Sequence, residues 1–213
     1  MFAITETTLS RQSINARASG PSLRRHRETP GFGAPDEVLV EAIARGERDA
    51  MDRLYARHHV GVFRFVVRLT GNAVLAEDIV SDVFLSVWRQ AAAFKARSKV
   101  STWLLAIARY KSVSAMRERN EQLDDRAAAK IEDVADNPEV AVGKSCRDLI
   151  LRRCLSQLSP LHREVIDLVY YHEKSVDEVA QIVGAPAGTV KTRMFYARRQ
   201  IQDLLAAAGV KGA

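Results

Sequence analysis

The chain has 213 residues, enough for one large domain or two small ones, and 47% of them are hydrophobic, which is ordinary for a globular protein. The formal net charge of +6 favours an acidic partner, most often nucleic acid, although a protein with surplus surface arginine would carry the same charge. No apolar run approaches the roughly 18 residues of a membrane span, and the 2 cysteines and 5 histidines lack the spacing of a metal or redox site. Composition therefore predicts a cytoplasmic protein that inserts in no membrane and binds no cofactor, with its cysteines buried as thiols.

Residues 1–35 are predicted to form a disordered basic tail. They hold five arginines against two acids, Glu6 and Glu28. Their composition is faintly like that of a targeting peptide, but they lack the apolar core that a secretory signal needs. We therefore expect ordered structure to begin near Asp36.

Residues 36–119 show the spacing of four helices, in which apolar side chains recur at three and four positions. Asp36 is placed to cap the first helix and Gly46 to end it. The second helix fits residues 48–69, and Asn72 is placed to cap the third. The side chains that we expect to line the core of this domain are Val38, Leu39, Ala42, Ile43, Met51, Leu54, Tyr55, His58, Val62, Phe65, Val66, Leu69, Val74, Ala76, Ile79, Val80, Val83, Phe84, Val87, Trp88, Trp103, Leu104, Ile107 and Ala108.

Two stretches lack this spacing. Residues 94–101, "FKARSKVS", carry three cations and are predicted to form a loop. Residues 117–145 are rich in acids, poor in large apolar side chains and interrupted by "DNP". We expect a linker over residues 120–138, with room for a short helix at 125–132.

A second domain is predicted over residues 139–213. "CRDLILRRCLSQL" has the pattern of an amphipathic helix, and Ser159 precedes a proline that can start the next helix without losing a hydrogen bond. Ser175 and Glu178 have the spacing of a capping box, in which each side chain satisfies an amide at the helix start. The apolar side chains expected inside these helices are Leu149, Ile150, Cys154, Leu155, Leu158, Val165, Ile166, Leu168 and Val169. The predicted fold class is all-α, with two small helical domains joined by a flexible linker.

The second domain contains the arrangement of a helix-turn-helix. A short helix at 176–183 is followed by a glycine-containing turn at 184–186 and a longer basic helix at 187–205. The second helix of such a motif enters the major groove with its N-terminal end. Helical phase turns one apolar row of this helix toward the core, namely Val190, Met194, Ala197, Ile201, Leu204 and Leu205.

The opposite side of the long basic helix mixes hydroxyls, cations and aromatic rings. Cations and hydroxyls can bind base edges or phosphates, and an aromatic ring can contact a thymine methyl group. A solvated amphipathic helix is the competing interpretation, but an exposed Phe195 beside Tyr196 favours contact with a partner. The predicted DNA contacts are Thr189, Lys191, Thr192, Arg193, Phe195, Tyr196 and Arg199, with Arg198 beside them.

Two blocks of sequence carry a more specific signal. The first contains "LAEDIVSDVFLSVW" (75–88) and "STWLLAIARYKSVSAMR" (101–117); the second contains "LSQLSPLHREVIDL" and "SVDEVAQIVGAPAGTVKTRMFYARRQI". With these blocks the chain resembles bacterial RNA polymerase sigma factors of the extracytoplasmic-function (ECF) group, over about 36–119 and 140–205. The resemblance implies two domains, conventionally called regions 2 and 4, which bind core RNA polymerase and direct it to promoter DNA. It also implies control by an anti-sigma factor.

The resemblance assigns residues to these partners. It implies that the helix beginning "AEDIV" docks on the clamp of the polymerase β′ subunit through Glu77, Asp78, Ser81, Asp82 and Leu85. It implies that the DNA contacts of the long basic helix, led by Lys191, Thr192 and Phe195, read the −35 element. For the −10 element it implies contacts by Lys95, Arg97, Lys99, Trp103, Tyr110 and Lys111.

The chemistry of the predicted −10 contacts agrees with this role independently. The cations of residues 95–99 can form a track for phosphates, and the rings of Trp103 and Tyr110 can stack on single-stranded bases for roughly 1–3 kcal/mol each. Trp103 also has helical spacing with Leu104 and Ile107, so a purely structural role in the core is open for it.

The chain departs from the family's pattern at three positions. Tyr110 stands where relatives usually carry an asparagine that helps hold a flipped −10 base. Ser81 stands where glutamine is common, and Tyr196 where arginine is frequent. Because arginine can bind guanine with two hydrogen bonds, its absence at Tyr196 implies a changed −35 preference. At position 110 a tyrosine ring could stack on a base in place of the asparagine contact, which implies a changed −10 specificity.

Other classes of function fit the sequence less well. A stand-alone transcription regulator would use the helix-turn-helix but would have no use for the block at 75–117. A sigma-like decoy that titrates a regulator is expected to carry an added receiver domain, and no βαβ pattern is found. An enzyme is the least supported class, because no nucleophile–base pair or metal constellation is found.

Overall fold

The computed structural model describes residues 33–124 and 146–209, and over these ranges the regular structure is helical, as predicted. The elements are α1 (Asp36–Ala44), α2 (Arg48–Thr70), α3 (Ala73–Gln90), a short 3₁₀ helix (Ala91–Ala93), α4 (Val100–Asp124), α5 (Cys146–Ser156), α6 (Pro160–Tyr170), α7 (Val176–Val183) and α8 (Ala187–Ala207). The predicted short helix at 125–132, most of the tail and most of the linker lie outside the described residues. In the part of the chain that is described, no helix is both long enough and apolar enough to cross a membrane.

Local sequence signals set several helix ends. Asn72 caps α3, because its side chain accepts a hydrogen bond of 3.0 Å from the backbone N–H of Leu75. Ser159 caps α6 in the same way, with a hydrogen bond of 3.3 Å from the N–H of His162. Gly184 ends α7 with a φ of 64°, a left-handed conformation that glycine adopts at little cost.

The predicted boundaries of two helices, α1 and α4, are wrong. Asp36 does not cap α1, because the helix follows Pro35 and the Asp36 carboxylate is engaged elsewhere. That carboxylate accepts a hydrogen bond of 2.9 Å from Arg57 and lies 2.6 Å from the ring nitrogen of His58, so it ties α1 to α2. Helix α4 begins at Val100, inside the stretch predicted as a loop, because the Val100 side chain is buried in the core. It also continues to Asp124, past residue 119, where the first domain was predicted to end, and into the predicted linker.

Helices α1 to α4 enclose the core of the first domain. The predicted periodicity identifies most of this core, including the large buried ring of Phe65. Three predicted core positions are instead exposed, since Val38 is 40%, Tyr55 43% and Val74 73% exposed. Val74 lies in the first turn of α3, about 200° around the helix axis from the buried Ala76, and therefore faces solvent.

Helices α5 to α8 form the second domain. The capping box at the start of α7 is present, with hydrogen bonds of 3.2 Å from the Glu178 N–H to Ser175 Oγ and 2.9 Å from the Ser175 N–H to Glu178 Oε2. Helix α8 packs on α5, α6 and α7, and buries Val190, Met194 and Ala197 as its phase predicts. The predicted sequence of short helix, turn and long helix is confirmed.

The two domains pack against each other. This contact was not predicted from the sequence, which indicated two domains joined by a flexible linker. Helix α4 lies along α7, and α2 contacts α6. Buried side chains of both domains, such as Leu105 and Val179, belong to one hydrophobic cluster. The polar side chains of Thr102, Glu164 and Asp167 are also buried, with 1%, 6% and 5% of their residue surface exposed.

Candidate nucleic-acid interface

The outward side of α8 is open to solvent. Phe195 is 61% and Tyr196 53% exposed, and their rings meet edge to face at 5.4 Å between centroids. Large exposed rings of this kind usually mark a contact surface. The other predicted contacts on this side are the exposed Thr189, Lys191, Thr192 and Arg199 and the half-buried Arg193.

A groove runs beside this row of side chains. Its volume is about 700 Å³, and its walls combine apolar and cationic groups from the start of α7 and the middle of α8 with the polar side chains of Gln202 and Asp203. The lining side chains that bear on nucleic-acid contact are Val176, Lys191, Phe195, Arg198 and Arg199. The hydroxyl of Thr192 donates to the carbonyl of Gly188 at 3.0 Å, which leaves its oxygen free to accept.

The predicted −10 contacts fall into two groups. Lys95 and Arg97 are exposed on the loop before α4, and 72% of the Lys99 side chain is exposed. Tyr110 is 73% exposed on α4, whereas Trp103 is half-buried with its ring centroid 4.8 Å from that of Phe94. Trp103 and Tyr110 are seven residues apart, so they stand on one side of α4 about 10 Å apart along its axis.

The predicted polymerase-docking side chains form an exposed stripe on α3. Leu85 is 45% exposed, and 64% of the Asp82 side chain is exposed. Glu77, Asp78 and Ser81 are exposed on the same helix. Asp82 also lies 3.7 Å from the ammonium group of Lys111, so Lys111 stands beside the α3 stripe.

A polar network between the domains was not anticipated. Glu178 Oε1 accepts a hydrogen bond of 3.0 Å from the hydroxyl of Thr102 and lies 3.3 Å from the ammonium group of Lys99. The ammonium group of Lys174 donates to the hydroxyl of Ser101 at 2.6 Å. These contacts join the start of α7 to the loop and the first turn of α4.

The network shifts the pKa of two of its members. Desolvation raises the pKa of Glu178, but the hydrogen bonds from Ser175, Thr102 and Lys99 outweigh it and lower that pKa to about 2. Burial lowers the pKa of Lys174, against the attraction of the Glu178 carboxylate. Glu178 is therefore ionised wherever the protein is folded near neutral pH.

Two arginines of the first domain bind carboxylates of α6. Arg109 binds both oxygens of Glu164, with Nε at 2.6 Å and the second hydrogen bond at 3.4 Å. Arg68 forms an ion pair with Asp167, and its guanidinium group lies 4.3 Å from the ring centre of Tyr171. Charge-assisted hydrogen bonds of this kind are stronger than neutral ones.

Sequence reasoning missed Glu164 and Asp167 for an identifiable reason. Their partners lie 55 and 99 residues away, and periodicity carries no information about distant pairing. One signal was available: both acids fall among the buried positions of α6, next to Val165 and Leu168. A carboxylate in such a position is buried only when a cation or another donor meets it.

Metal-binding clusters and cysteines were the other features considered from sequence. Among them, no cluster of histidine, cysteine, aspartate or glutamate could hold a metal ion. Cys154 is buried as a free thiol, as predicted, while the side chain of Cys146 is outside the described set.

Comparison with protein families gives two matches. The model of Sigma-70 region 2 matches residues 54–122, and the model of Sigma-70, region 4 matches residues 148–201. Among curated proteins, the ECF RNA polymerase sigma factor SigL of Mycobacterium tuberculosis is 31% identical over 182 residues, which cover 80% of this chain and 97% of SigL. The ECF RNA polymerase sigma factor SigK of Mycobacterium ulcerans is 30% identical over 184 residues, 84% of this chain and 98% of SigK.

Comparison with solved structures also finds a sigma factor. The sigma factor RpoE of Bartonella quintana, in complex with the anti-sigma factor NepR, matches with a TM-score of 0.64 and 30% identity, over 73% of this chain and 96% of RpoE. CnrH in complex with the cytosolic domain of CnrY has a TM-score of 0.59 and 24% identity, over 81% of this chain and 97% of CnrH. The second match shows likeness of fold.

Proposed function

The chain belongs to the extracytoplasmic-function group of sigma-70 factors, a family of transcription initiation factors, and we propose how its two domains divide the work at one promoter. As a sigma factor it binds core RNA polymerase and recognises the −35 and −10 elements. We assign residues 36–124, which include the whole of α4, to region 2 and residues 139–213 to region 4, with the linker between them. The chain acts in the cytoplasm as a specificity subunit and contributes no catalytic group.

The observation that carries the assignment of the −35 site is the exposed row on α8. Its aromatic rings protrude beside cations, while the opposite side of the same helix is buried. Lys191 and Arg199 suit phosphates or guanine edges, and Phe195 suits a thymine methyl group. Tyr196 lies beside Phe195. It presents a hydroxyl group at a position where the guanidinium group of an arginine would bind guanine.

The −10 strand, in this proposal, runs from the loop cations to the exposed side of α4. Lys95, Arg97 and Lys99 neutralise its phosphates, and Tyr110 provides the most exposed surface for base stacking. Trp103 supports this stacking surface through its ring contact with Phe94. A base captured there must leave the helical stack, which costs a few kcal/mol that stacking on the protein offsets in part.

The exposed stripe on α3 is the proposed contact with the β′ clamp of core polymerase. It combines the carboxylates of Glu77, Asp78 and Asp82 with the apolar surface of Leu85. An apolar centre with charged neighbours is a usual composition for a protein interface. The position of Lys111 next to Asp82 makes this cation a member of the same stripe as well as a candidate DNA contact.

Control by an anti-sigma factor completes the proposal. The related RpoE structure contains the anti-sigma factor NepR, and the chain shares 30% identity with that RpoE. A partner of this kind acts by covering surfaces that polymerase or DNA needs, which here are the α3 stripe and the row on α8.

Run-off transcription with purified chain and core polymerase tests the proposed function. Promoters are first mapped genome-wide after expression of the chain, and the mapped promoter then serves as template. We expect a discrete transcript that depends on both the chain and core polymerase. Failure of the chain to co-purify with core polymerase would overturn the proposal, because every later step depends on that contact.

A further inference from the structure

A small cavity lies where α2, α4 and the segment between α6 and α7 meet. Its volume is about 110 Å³, well above the roughly 10–15 Å³ that one water needs. Among the described residues, no carboxylate lines it. The lining residues that bear on ligand binding are Arg57, His58, Gly61, Ser101, His172 and Lys174, and none of them belongs to the predicted contacts with DNA or polymerase.

Lys174 is a partly buried cation of this wall, and its charge is incompletely compensated. Its ammonium group donates a hydrogen bond of 2.6 Å to the hydroxyl of Ser101, and no carboxylate of the described residues lies at ion-pair distance from it. Burial lowers the pKa of Lys174, and the nearby charge of Lys99 lowers it further, against the attraction of Glu178. A negative ion in the cavity would therefore stabilise the charged form of Lys174.

Ser101 and Lys174 both have hydrogen atoms left to donate. Because the Ser101 oxygen accepts the hydrogen bond from Lys174, the O–H of this serine can turn to a second partner. The ammonium group of Lys174 has three N–H donors, of which this bond uses one. The pair can therefore bind two oxygens of one anion.

The two histidines of the wall are each oriented by a carboxylate that does not line the cavity. His58 Nε2 lies 2.6 Å from Asp36, and His172 Nε2 lies 3.4 Å from Asp167. Within the described residues, neither ring makes a hydrogen bond through Nδ1. An anion beside Nδ1 favours the protonated ring, which then donates on both sides.

Gly61 leaves space at this wall. It stands in the interior of α2, where glycine is less favourable than alanine, and its φ is not in the left-handed range. A Cβ atom at Gly61 would meet no atom within 4 Å, so packing inside the protein does not require a glycine. Since Gly61 lines the cavity, a side chain at this position would occupy volume that a ligand could use.

We propose that this cavity is a binding site for a small oxyanion of the phosphate class. Lys174 and Ser101 are its principal donors, and Arg57, His58 and His172 surround it with positive charge. A tetrahedral oxyanion suits the site, because donors converge from three segments of the chain and each can bind a different oxygen. Inorganic phosphate and the phosphate group of a larger molecule share this chemistry. The site uses no group on which the proposed function depends.

Thermal unfolding and isothermal titration of the full-length chain at pH 7 test the proposal. Sodium phosphate is compared with sodium chloride at equal ionic strength, which separates a specific ion from general screening. Adenosine monophosphate is the second ligand, and it distinguishes a phosphate group on a larger molecule from the free ion. We expect one of the two to raise Tm by about 4 °C beyond chloride at ten times its Kd. If neither does so, the proposal is overturned.

Two variants locate the bound ion. Lys174→Met should weaken phosphate binding at least tenfold and, without phosphate, should raise Tm because it removes a buried charge. Gly61→Leu keeps every cation and should abolish binding by filling the cavity. The matched control Arg153→Gln removes an exposed cation of α5 and should bind phosphate as wild type does.

Wild-type phosphate affinity in either cavity variant would overturn the proposal, because the ion would then lie elsewhere on the basic surface. A purely structural Lys174 predicts that outcome together with a lower Tm, through the lost hydrogen bond to Ser101. The Lys174→Met result stands alone if leucine at position 61 prevents folding. Neither polymerase nor promoter DNA enters this test, so its failure is distinguishable from failure of the proposed function.

Discussion

The hydroxyl of Thr102 donates a hydrogen bond of 3.0 Å to the carboxylate of Glu178, across 76 positions of sequence. The Glu178 carboxylate also accepts a hydrogen bond from the backbone N–H of Ser175 and forms an ion pair with Lys99. The side chain that starts α7 is therefore the same one that links the second domain to the first. Its ionisation bears on both local and tertiary structure.

The stability contributed by Glu178 is expected to depend on acid pH. Its pKa in the folded protein is about 2, below the ordinary value of 4.5, so its contribution is fully present above pH 4.5 and is lost as the pH falls toward 2. A shift of this size corresponds to at most about 3.4 kcal/mol. Urea unfolding of wild type and Glu178→Gln across that window should show a difference that narrows as the pH falls. Asp177→Asn, an exposed neighbour, should show no such narrowing, and a constant difference for Glu178→Gln would contradict the assignment.

Replacing Asn72 by alanine should destabilise the first domain by about 1 kcal/mol, because α3 loses its only side-chain cap. Chemical denaturation at neutral pH measures the change. Asn72→Ser is the control, since its hydroxyl can accept the same hydrogen bond from Leu75 and should restore most of the loss. Equal destabilisation by alanine and serine would mean that the cap contributes little.

Two valines of α3 should respond differently to the same substitution. Val83 is fully buried and Val74 is 73% exposed. Val83→Ala is expected to cost about 1.5 kcal/mol or more, because it removes buried methyl groups and leaves a cavity. Val74→Ala should change the free energy of unfolding by less than about 0.5 kcal/mol. Similar losses at the two positions would contradict the orientation of α3.

The double variant Lys191→Ala/Phe195→Ala should weaken binding to −35 duplex DNA about tenfold, a loss that one good base contact can account for. Affinity for core polymerase should stay unchanged, because neither residue lies on the α3 stripe. Loss of a phosphate contact by Lys191 should also reduce the salt dependence of binding by about one unit of slope. Arg153→Ala, an exposed cation on α5, controls for charge alone and should not alter sequence preference.

Tyr110→Ala should impair formation of the open promoter complex, because the exposed ring is the proposed stacking surface. The expected loss is about 1–3 kcal/mol in binding of the −10 strand, measured with holoenzyme and a fork template carrying 2-aminopurine. Tyr110→Phe keeps the ring and should behave like wild type. If phenylalanine were as harmful as alanine, the phenolic hydroxyl and not stacking would be the important feature.

Local features of this fold were predictable from sequence, and distant ones were not. The phase of α8 and the capping box at Ser175 depend on residues within a few positions of each other, and both are confirmed. Asp36 looked like a cap because capping preference is also local, but its carboxylate is taken by Arg57 and His58, which lie on another helix.

The candidate sites also divide into local features that the sequence predicts and distant contacts that it does not. Exposure of the predicted contacts on α8 followed from helical phase, because one buried side implies an open one. The pairing of Arg109 with Glu164 depends on how two domains meet, and no pattern within either segment specifies that. A buried acid on an apolar helix side signals that a partner exists but does not identify it.

The two oxygens of the Glu178 carboxylate serve different structures. Oε2 stays within the second domain, on the N–H of Ser175, while Oε1 faces Thr102 and Lys99. The capping box that Glu178 closes with Ser175 lies wholly within the second domain, so the start of α7 keeps both of its cap hydrogen bonds without the first domain.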